Sequence, residues 1–216
     1  MDRLVCLRAG ASAPAFFVTF CLPARTKERM DSVATIAEKA AKGSPAAFSQ
    51  LVFKYNHAIF RLAFRMCGNL EEAGEISQET FTRAWEAIGR YDPGRPFSSW
   101  LYTICLNLVR DHLRRRRKTR DFFPLRFRAM SSFGDPSPDP EVQFIVAETE
   151  RILQTALSRL KIALREAVLL RYMEELSFAE VGAVLGISVS AAKMRVYRGM
   201  ESLRKELKNL HFDVER

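Results

Sequence analysis

Paired cysteines are missing from this chain. Its four, Cys6, Cys21, Cys67 and Cys105, stand far apart with no Cys-x-x-Cys motif, which excludes a disulfide scaffold and a thiolate metal site. Histidine is as sparse: His57, His112 and His211 are scattered, so no zinc spacing exists. No run approaches the roughly 18–20 apolar residues of a membrane span, so no membrane insertion is expected. Strand-like alternation and fixed-period repeats are also lacking. The acids sit at helix starts and in a linker rather than in a constellation with histidine. No catalytic residue, metal or cofactor is expected, and a helical nuclease is disfavoured.

Positive charge is abundant. Thirty-four Lys and Arg against 25 acids give +9 over 216 residues, which favours an anionic partner. The distribution is uneven. Residues 110–128 hold nine Lys/Arg against two Asp, while 135–150 hold five acids and no base. Basic surfaces are therefore local, and an acidic stretch separates them.

From Asp31 onward the pattern is helical. Ser44-Pro45 opens a helix whose apolar positions Phe48, Leu51, Val52, Tyr55, Ile59, Leu62, Ala63 and Met66 follow the 3.6 period. Gly68-Asn69 ends it, and Asn69 with Glu72 starts another running to about Ile88. The loop 91–99 is rich in turn residues, and a third helix runs from Trp100 to about Lys118. Alternating prolines in Ser131–Pro140 exclude regular structure. Helices over 142–160, 164–175, 177–185 and 188–207 complete a second unit. The expected fold class is all-α: two small helical domains, 30–118 and 142–216, joined by a flexible Pro-rich acidic linker, 119–141. Residues 1–29 are apolar but broken by prolines at 14 and 23. They are expected to be a loose tail without function, with Met30 opening the patterned chain.

The C-terminal unit carries the sharpest motif. Ser177 with Glu180 makes a capping box, and Leu176 with Val181 a hydrophobic staple. Gly186 supplies a left-handed stop and Ser188 caps the next helix. Ala192, Val196, Gly199, Leu203 and Leu207 face inward, leaving Ser190, Lys193, Met194, Tyr197 and Arg198 outside. Two helices on a glycine turn with a basic outer face describe a helix-turn-helix whose second helix enters a major groove.

The helix from Trp100 packs Leu101, Ile104, Cys105, Leu108 and His112 on one side. Thr103, Asn107, Arg110, Arg114 and Arg117 form a polar stripe on the other. Tyr91, Phe97 and Trp100 flank that stripe. Aromatics beside a cationic track suit unpaired bases on a held backbone, although each ring taken singly reads first as a staple for the loop. The helix from Asn69 is acidic instead. Glu75, Gln78 and Glu79 extend beyond the first turn on an outward face, better suited to a basic protein partner than to DNA.

In order, Glu75-Ile-Ser-Gln-Glu-Thr-Phe81, Ala84-Trp85, Phe97-Ser-Ser-Trp-Leu-Tyr102, Asn107, Asp111-His-Leu-Arg-Arg115, Ala156-Leu-Ser-Arg-Leu160, Arg165-Glu-Ala-Val-Leu-Leu-Arg171 and the helix-turn-helix resemble a bacterial sigma factor. The likeness is to the sigma-70 family of RNA polymerase sigma factors, extracytoplasmic-function (ECF) group, over about residues 40–210. It implies a cytoplasmic transcription initiation factor that binds RNA polymerase core and reads promoter DNA. Glu75, Gln78 and Glu79 match positions that dock on the β′ clamp helices, with the β flap a further contact of the family. Tyr91, Phe97, Trp100, Thr103, Asn107, Arg110, Arg114 and Arg117 fall in the −10 reader, and Ser190, Lys193, Met194, Arg195, Tyr197 and Arg198 in the −35 reader. An anti-sigma partner is also implied. A plain helix-turn-helix repressor would leave the two upstream faces unexplained. Three departures stand out: Gly74 replaces a usual acid, Lys161-Ile162 replaces prolines, and Met194 and Met200 replace small polar and basic residues.

Overall fold

The computed structural model describes residues 27–119 and 140–210, and every regular element among them is helical. Four α-helices and a single 3-10 turn over Ile88–Arg90 make the first unit: α1 (Lys27–Ala41), α2 (Pro45–Cys67), α3 (Leu70–Ala87) and α4 (Phe97–Thr119). Four more make the second: α5 (Pro140–Arg159), α6 (Ile162–Tyr172), α7 (Phe178–Leu185) and α8 (Val189–Asn209). The all-α, two-domain class read from the pattern is the one found. The expected linker and tail lie outside the described residues over 120–139 and 1–26, and α1 starts three residues before Met30.

Local chemistry sets the boundaries. The Ala47 N–H donates to Ser44 Oγ at 3.3 Å with Pro45 in the first turn, and Gly68 closes α2 at φ 75°. Asn69 Oδ1 accepts from Glu71 N–H (2.8 Å) and Glu72 N–H (3.2 Å), capping α3. Helix α4 begins at Phe97, earlier than its pattern indicates, because the Pro96 carbonyl accepts from Ser99 and Trp100 N–H. Helix α6 stops at Tyr172, and Glu175 makes the turn into α7 with a left-handed φ of 54°. A non-glycine residue accepts that conformation only where its surroundings enforce it.

Ile59, Leu62, Leu101 and Leu106 are fully buried where α2 and α4 meet, and α3 adds Ile76, Phe81 and Ala84. Each such large side chain contributes about 1.5–3 kcal/mol. Leu170, Val181, Ala192 and Val196 fill the second unit, and the two sets form one continuous cluster. The domains therefore pack directly on each other, which the linker-based reading does not anticipate. Helices α5, α6 and α7 lie against α2 and α4.

Candidate nucleic-acid interface

The helix-turn-helix is built as its residues indicate. Ser177 and Glu180 exchange both capping-box hydrogen bonds, Gly186 is left-handed at φ 67°, and Ala191 N–H donates to Ser188 Oγ at 3.2 Å. Gly182 permits the tight turn: a Cβ there would lie 2.8 Å from the Ile187 carbonyl. Ala192, Val196, Gly199 and Leu203 are buried, and Leu207 packs at the margin. Ser190, Lys193, Met194, Tyr197 and Arg198 are brought together on one exposed face of α8, with Met194 50% and Tyr197 59% exposed. Arg195 is half-buried at its side. Phe178 supports this face. It packs against Tyr197 (6.2 Å between centroids) and lies under Lys193 Nζ (5.8 Å) and the Arg171 guanidinium (4.9 Å). The sequence pattern marks neither Phe178 nor Arg171 as a partner of this face of α8.

On α4, Thr103 Oγ1 donates back to the Ser99 carbonyl at 2.9 Å, while Asn107 is exposed and accepts from Arg110 Nη1 at 3.0 Å. Arg114 is exposed beside Asp111 at 3.3 Å. The Arg117 side chain lies outside the described residues. Tyr91, Phe97 and Trp100 form a cluster with centroids 5.4–5.5 Å apart, and Tyr55 joins through Phe97 at 5.6 Å. Tyr91 and Phe97 are buried, and the Tyr91 hydroxyl donates to the Arg95 carbonyl at 2.6 Å. Burial pushes the Tyr91 phenol up to about 12, with Tyr55 and nearby carboxylates adding to the shift. These two rings staple loop 91–96 from beneath, and Trp100 remains partly exposed above them.

Helix α3 turns Ile76, Thr80, Phe81 and Ala84 inward and leaves Glu75, Gln78 and Glu79 exposed together. Glu79 Oε1 accepts from Arg83 Nε at 2.7 Å, an exposed pair one turn apart. Such pairs contribute little. Trp85 packs on Phe48 at 5.0 Å.

Beside the continuous apolar cluster, the seam between the domains carries a set of buried and half-buried polar ties. Arg110 Nε and Nη2 donate to the two Glu166 oxygens at 2.7 and 2.9 Å, with the Glu166 side chain 2% exposed. That hydrogen bonding raises the Arg110 pKa above its already high value. The Tyr102 hydroxyl donates to Glu174, which Arg61 also approaches at 3.5 Å, and Arg65 pairs with Glu150. Gln154 Nε2 donates to the carbonyls of Phe64 and Arg65, both at 3.3 Å, and Arg165 Nη1 to that of Met66 at 2.7 Å. These are last-turn carbonyls of α2, of which that of Phe64 also accepts the Gly68 cap N–H at 2.7 Å. No periodicity reveals such ties, because each joins residues 72 or more positions apart, or 56 for Arg110 and Glu166. Among the described residues no group of three or more His, Cys, Asp or Glu is placed to hold a metal, and no helix is long and apolar enough to cross a membrane.

A helix-turn-helix domain joined to a helical domain with a cationic-aromatic helix and a separate acidic face is the architecture of a DNA-binding transcription factor. The comparisons agree. Residues 51–119 match the model for sigma-70 region 2, and residues 150–203 match that for sigma-70 region 4. The ECF RNA polymerase sigma factor SigW of Bacillus subtilis is 35% identical over 78% of this chain and 93% of its own length. The RNA polymerase sigma factor CarQ of Myxococcus xanthus is 35% identical over 83% and 99% respectively. Among solved structures, CnrH in complex with the cytosolic domain of CnrY aligns at TM-score 0.62 and 30% identity, covering 83% of this chain and 99% of that one. The chain belongs to the sigma-70 family, in its extracytoplasmic-function group. It is a transcription initiation factor.

Proposed function

We propose that the exposed faces divide the work of initiation among them. Glu75, Gln78 and Glu79 on α3 dock on the β′ clamp helices of RNA polymerase core, with a contact from the second domain to the β flap. Residues 30–118 form the core-binding and −10 domain, and 142–216 the −35 domain. Lys193, Tyr197 and Arg198, with Ser190 and Arg195 at the edges, read the −35 duplex in its major groove. Met194 has no directional donor and contacts a thymine methyl instead. On α4, Trp100, Thr103, Asn107, Arg110, Arg114 and Arg117 hold the unpaired −10 strand, and Tyr91 and Phe97 shape the receiving loop from beneath. Capturing bases as they leave the duplex offsets the unpairing, with stacking contributing about 1–3 kcal/mol per base. An anti-sigma factor is the proposed regulator, and the cytoplasm the proposed compartment.

What carries this reading is the exposure of chemically distinct faces on separate helices: acidic on α3, and basic with mixed polarity on α8. An acidic face on a +9 chain suits a basic protein surface and repels DNA. The test is Glu79→Lys with Gln78→Ala, two exposed changes that should alter stability by about 0.5 kcal/mol or less. Helix content should be retained, while co-purification with polymerase core and promoter-directed transcription are lost. Unchanged co-purification would remove α3 as the docking face.

A further inference from the structure

We propose that Arg110 sets the base preference of the −10 reader without itself touching the base. It holds the oxygen of the Asn107 amide, so that Asn107 offers N–H alone and selects a keto base, thymine or guanine, over an amino base, cytosine or adenine. This selection rests on the −10 role proposed for Asn107, for which Arg110 is then the positioning residue.

A free asparagine is ambivalent. Its amide carries an accepting oxygen and a donating NH2, and rotation about the last side-chain bond exchanges them. Adenine is its customary partner, because the N6 amino group donates to the oxygen while N7 accepts from the NH2. In this chain that freedom is removed. A guanidinium has donors only, so the amide atom 3.0 Å from Arg110 Nη1 is the oxygen Oδ1. The guanidinium is itself fixed, with Nε and Nη2 on the two Glu166 oxygens at 2.7 and 2.9 Å. Its contact with Asn107 lies within α4, between residues three apart, and does not depend on the second domain. Asn107 is exposed, which leaves Nδ2 open to a ligand. Oδ1 keeps a second lone pair, but an amino group approaching it would bring its positive hydrogens toward the guanidinium. Thr103, one turn earlier on the stripe, has the opposite sense. It spends its hydroxyl proton on the Ser99 carbonyl at 2.9 Å and turns to a ligand as an acceptor.

The chemistry of unpaired bases completes the selection. An unstacked base is read on its Watson–Crick and Hoogsteen edges, and its exocyclic oxygen or amino group belongs to both. Thymine O4 and guanine O6 accept there, whereas cytosine N4 and adenine N6 donate. A donor locked at Asn107 therefore pairs with the first two. Against the last two it opposes donor to donor, and neither is satisfied once water is excluded. Phosphate contacts carry no sequence information. A base preference that depends on Arg110 therefore cannot come from its charge on the backbone.

The test uses the full chain assembled with RNA polymerase core and a pool of pre-melted promoter duplexes whose non-template −10 nucleotides are randomised. Duplexes retained by the holoenzyme are sequenced. At one −10 position the parent should enrich dT and dG over dC and dA by about tenfold, the discrimination expected of a directional base contact. Asn107→Asp keeps an oxygen for Arg110 and presents only another oxygen, so the preference at that position should reverse toward dA and dC. Arg110→Met with Glu166→Gln removes the lock without stranding a buried carboxylate, and the keto preference should fade while other positions keep theirs. Should that pair lose helix content, Asn107→Asp decides alone, since its site is exposed. A uniform loss of retention across all sequences in the Arg110 variant, with the preference intact, overturns the positioning role and leaves Arg110 a phosphate contact. An unreversed preference in Asn107→Asp overturns the locked donor. Asn107→Ala separates the two levels: a selected pool identical to the parent's removes Asn107 as a −10 reader, and the selection falls with it.

Discussion

Gly199 shows how one atom governs the helix-turn-helix domain. A Cβ at this position would lie 2.5 Å from Val168 Cγ2 and 3.0 Å from the Leu164 carbonyl, so α8 crosses α6 at a separation only glycine allows. Gly199→Ala should cost about 1–3 kcal/mol and lower the urea midpoint with an unchanged slope. An unchanged midpoint would mean that α6 and α8 can shift apart freely. The buried thiols make a second case. Burial, with Glu72 adding, pushes Cys67 up to about 12, and burial pushes Cys105 to about 12. The thiolate is the reactive form, so neither should be alkylated by iodoacetamide at about pH 8 until the chain is denatured, as peptide mass spectrometry can establish. The linkage sign follows. Folded values above the unfolded ones mean that the native state holds these protons longer. Stability is then intact below the ordinary thiol value of 9.0 and falls as pH rises from there toward about 12.

Among the elements, α3 balances helix stability against its exposed acidic surface. Asn69 caps it and Glu71 and Glu72 complement its dipole, yet Gly74 interrupts its second turn. Nothing lies within 4 Å of a Cβ built at Gly74, so no close packing requires a glycine there. Gly74→Ala should therefore stabilise by about 1 kcal/mol and raise Tm by about 2–4 °C, with polymerase binding retained. A lower Tm would reveal a backbone requirement at this turn. Helix α4 divides differently. Its inner side follows the apolar period and closes, one turn after His112, with Arg116, which donates to the Cys67 carbonyl and Glu72 at 3.4 Å each and so fastens α4 to the α2–α3 corner. Arginines of one run thus differ in role according to which face of the helix they leave.

For the whole molecule, Arg165 is the tie between halves. Its Nη2 donates to the Ser158 and Leu160 carbonyls at 2.6 and 3.3 Å, and its Nη1 to Met66 across the seam at 2.7 Å. Arg165→Met keeps much of the volume but strips these carbonyls of a charged donor. It should destabilise the chain by about 2–4 kcal/mol in guanidinium unfolding followed by circular dichroism. A loss under about 0.5 kcal/mol would show that water replaces the guanidinium without penalty.

Helix order, caps, the helix-turn-helix and all three exposed faces were legible in the chain, because each rests on contacts within one or two turns. Ser177 and Glu180 are three residues apart, and the inward set Ala192, Val196, Gly199 and Leu203 follows from the helical period alone. The pairing of Arg110 with Glu166 was not legible, and neither was the use of Gln154 and Arg165 to satisfy the end of α2. Spacing did place Asn107 outward, and Tyr91 and Phe97 sit where the reading of each ring as a staple for the loop puts them. Local rules specify which face of a helix is apolar or charged. What that face meets depends on where two domains come to rest against each other, and only the packed chain contains that information.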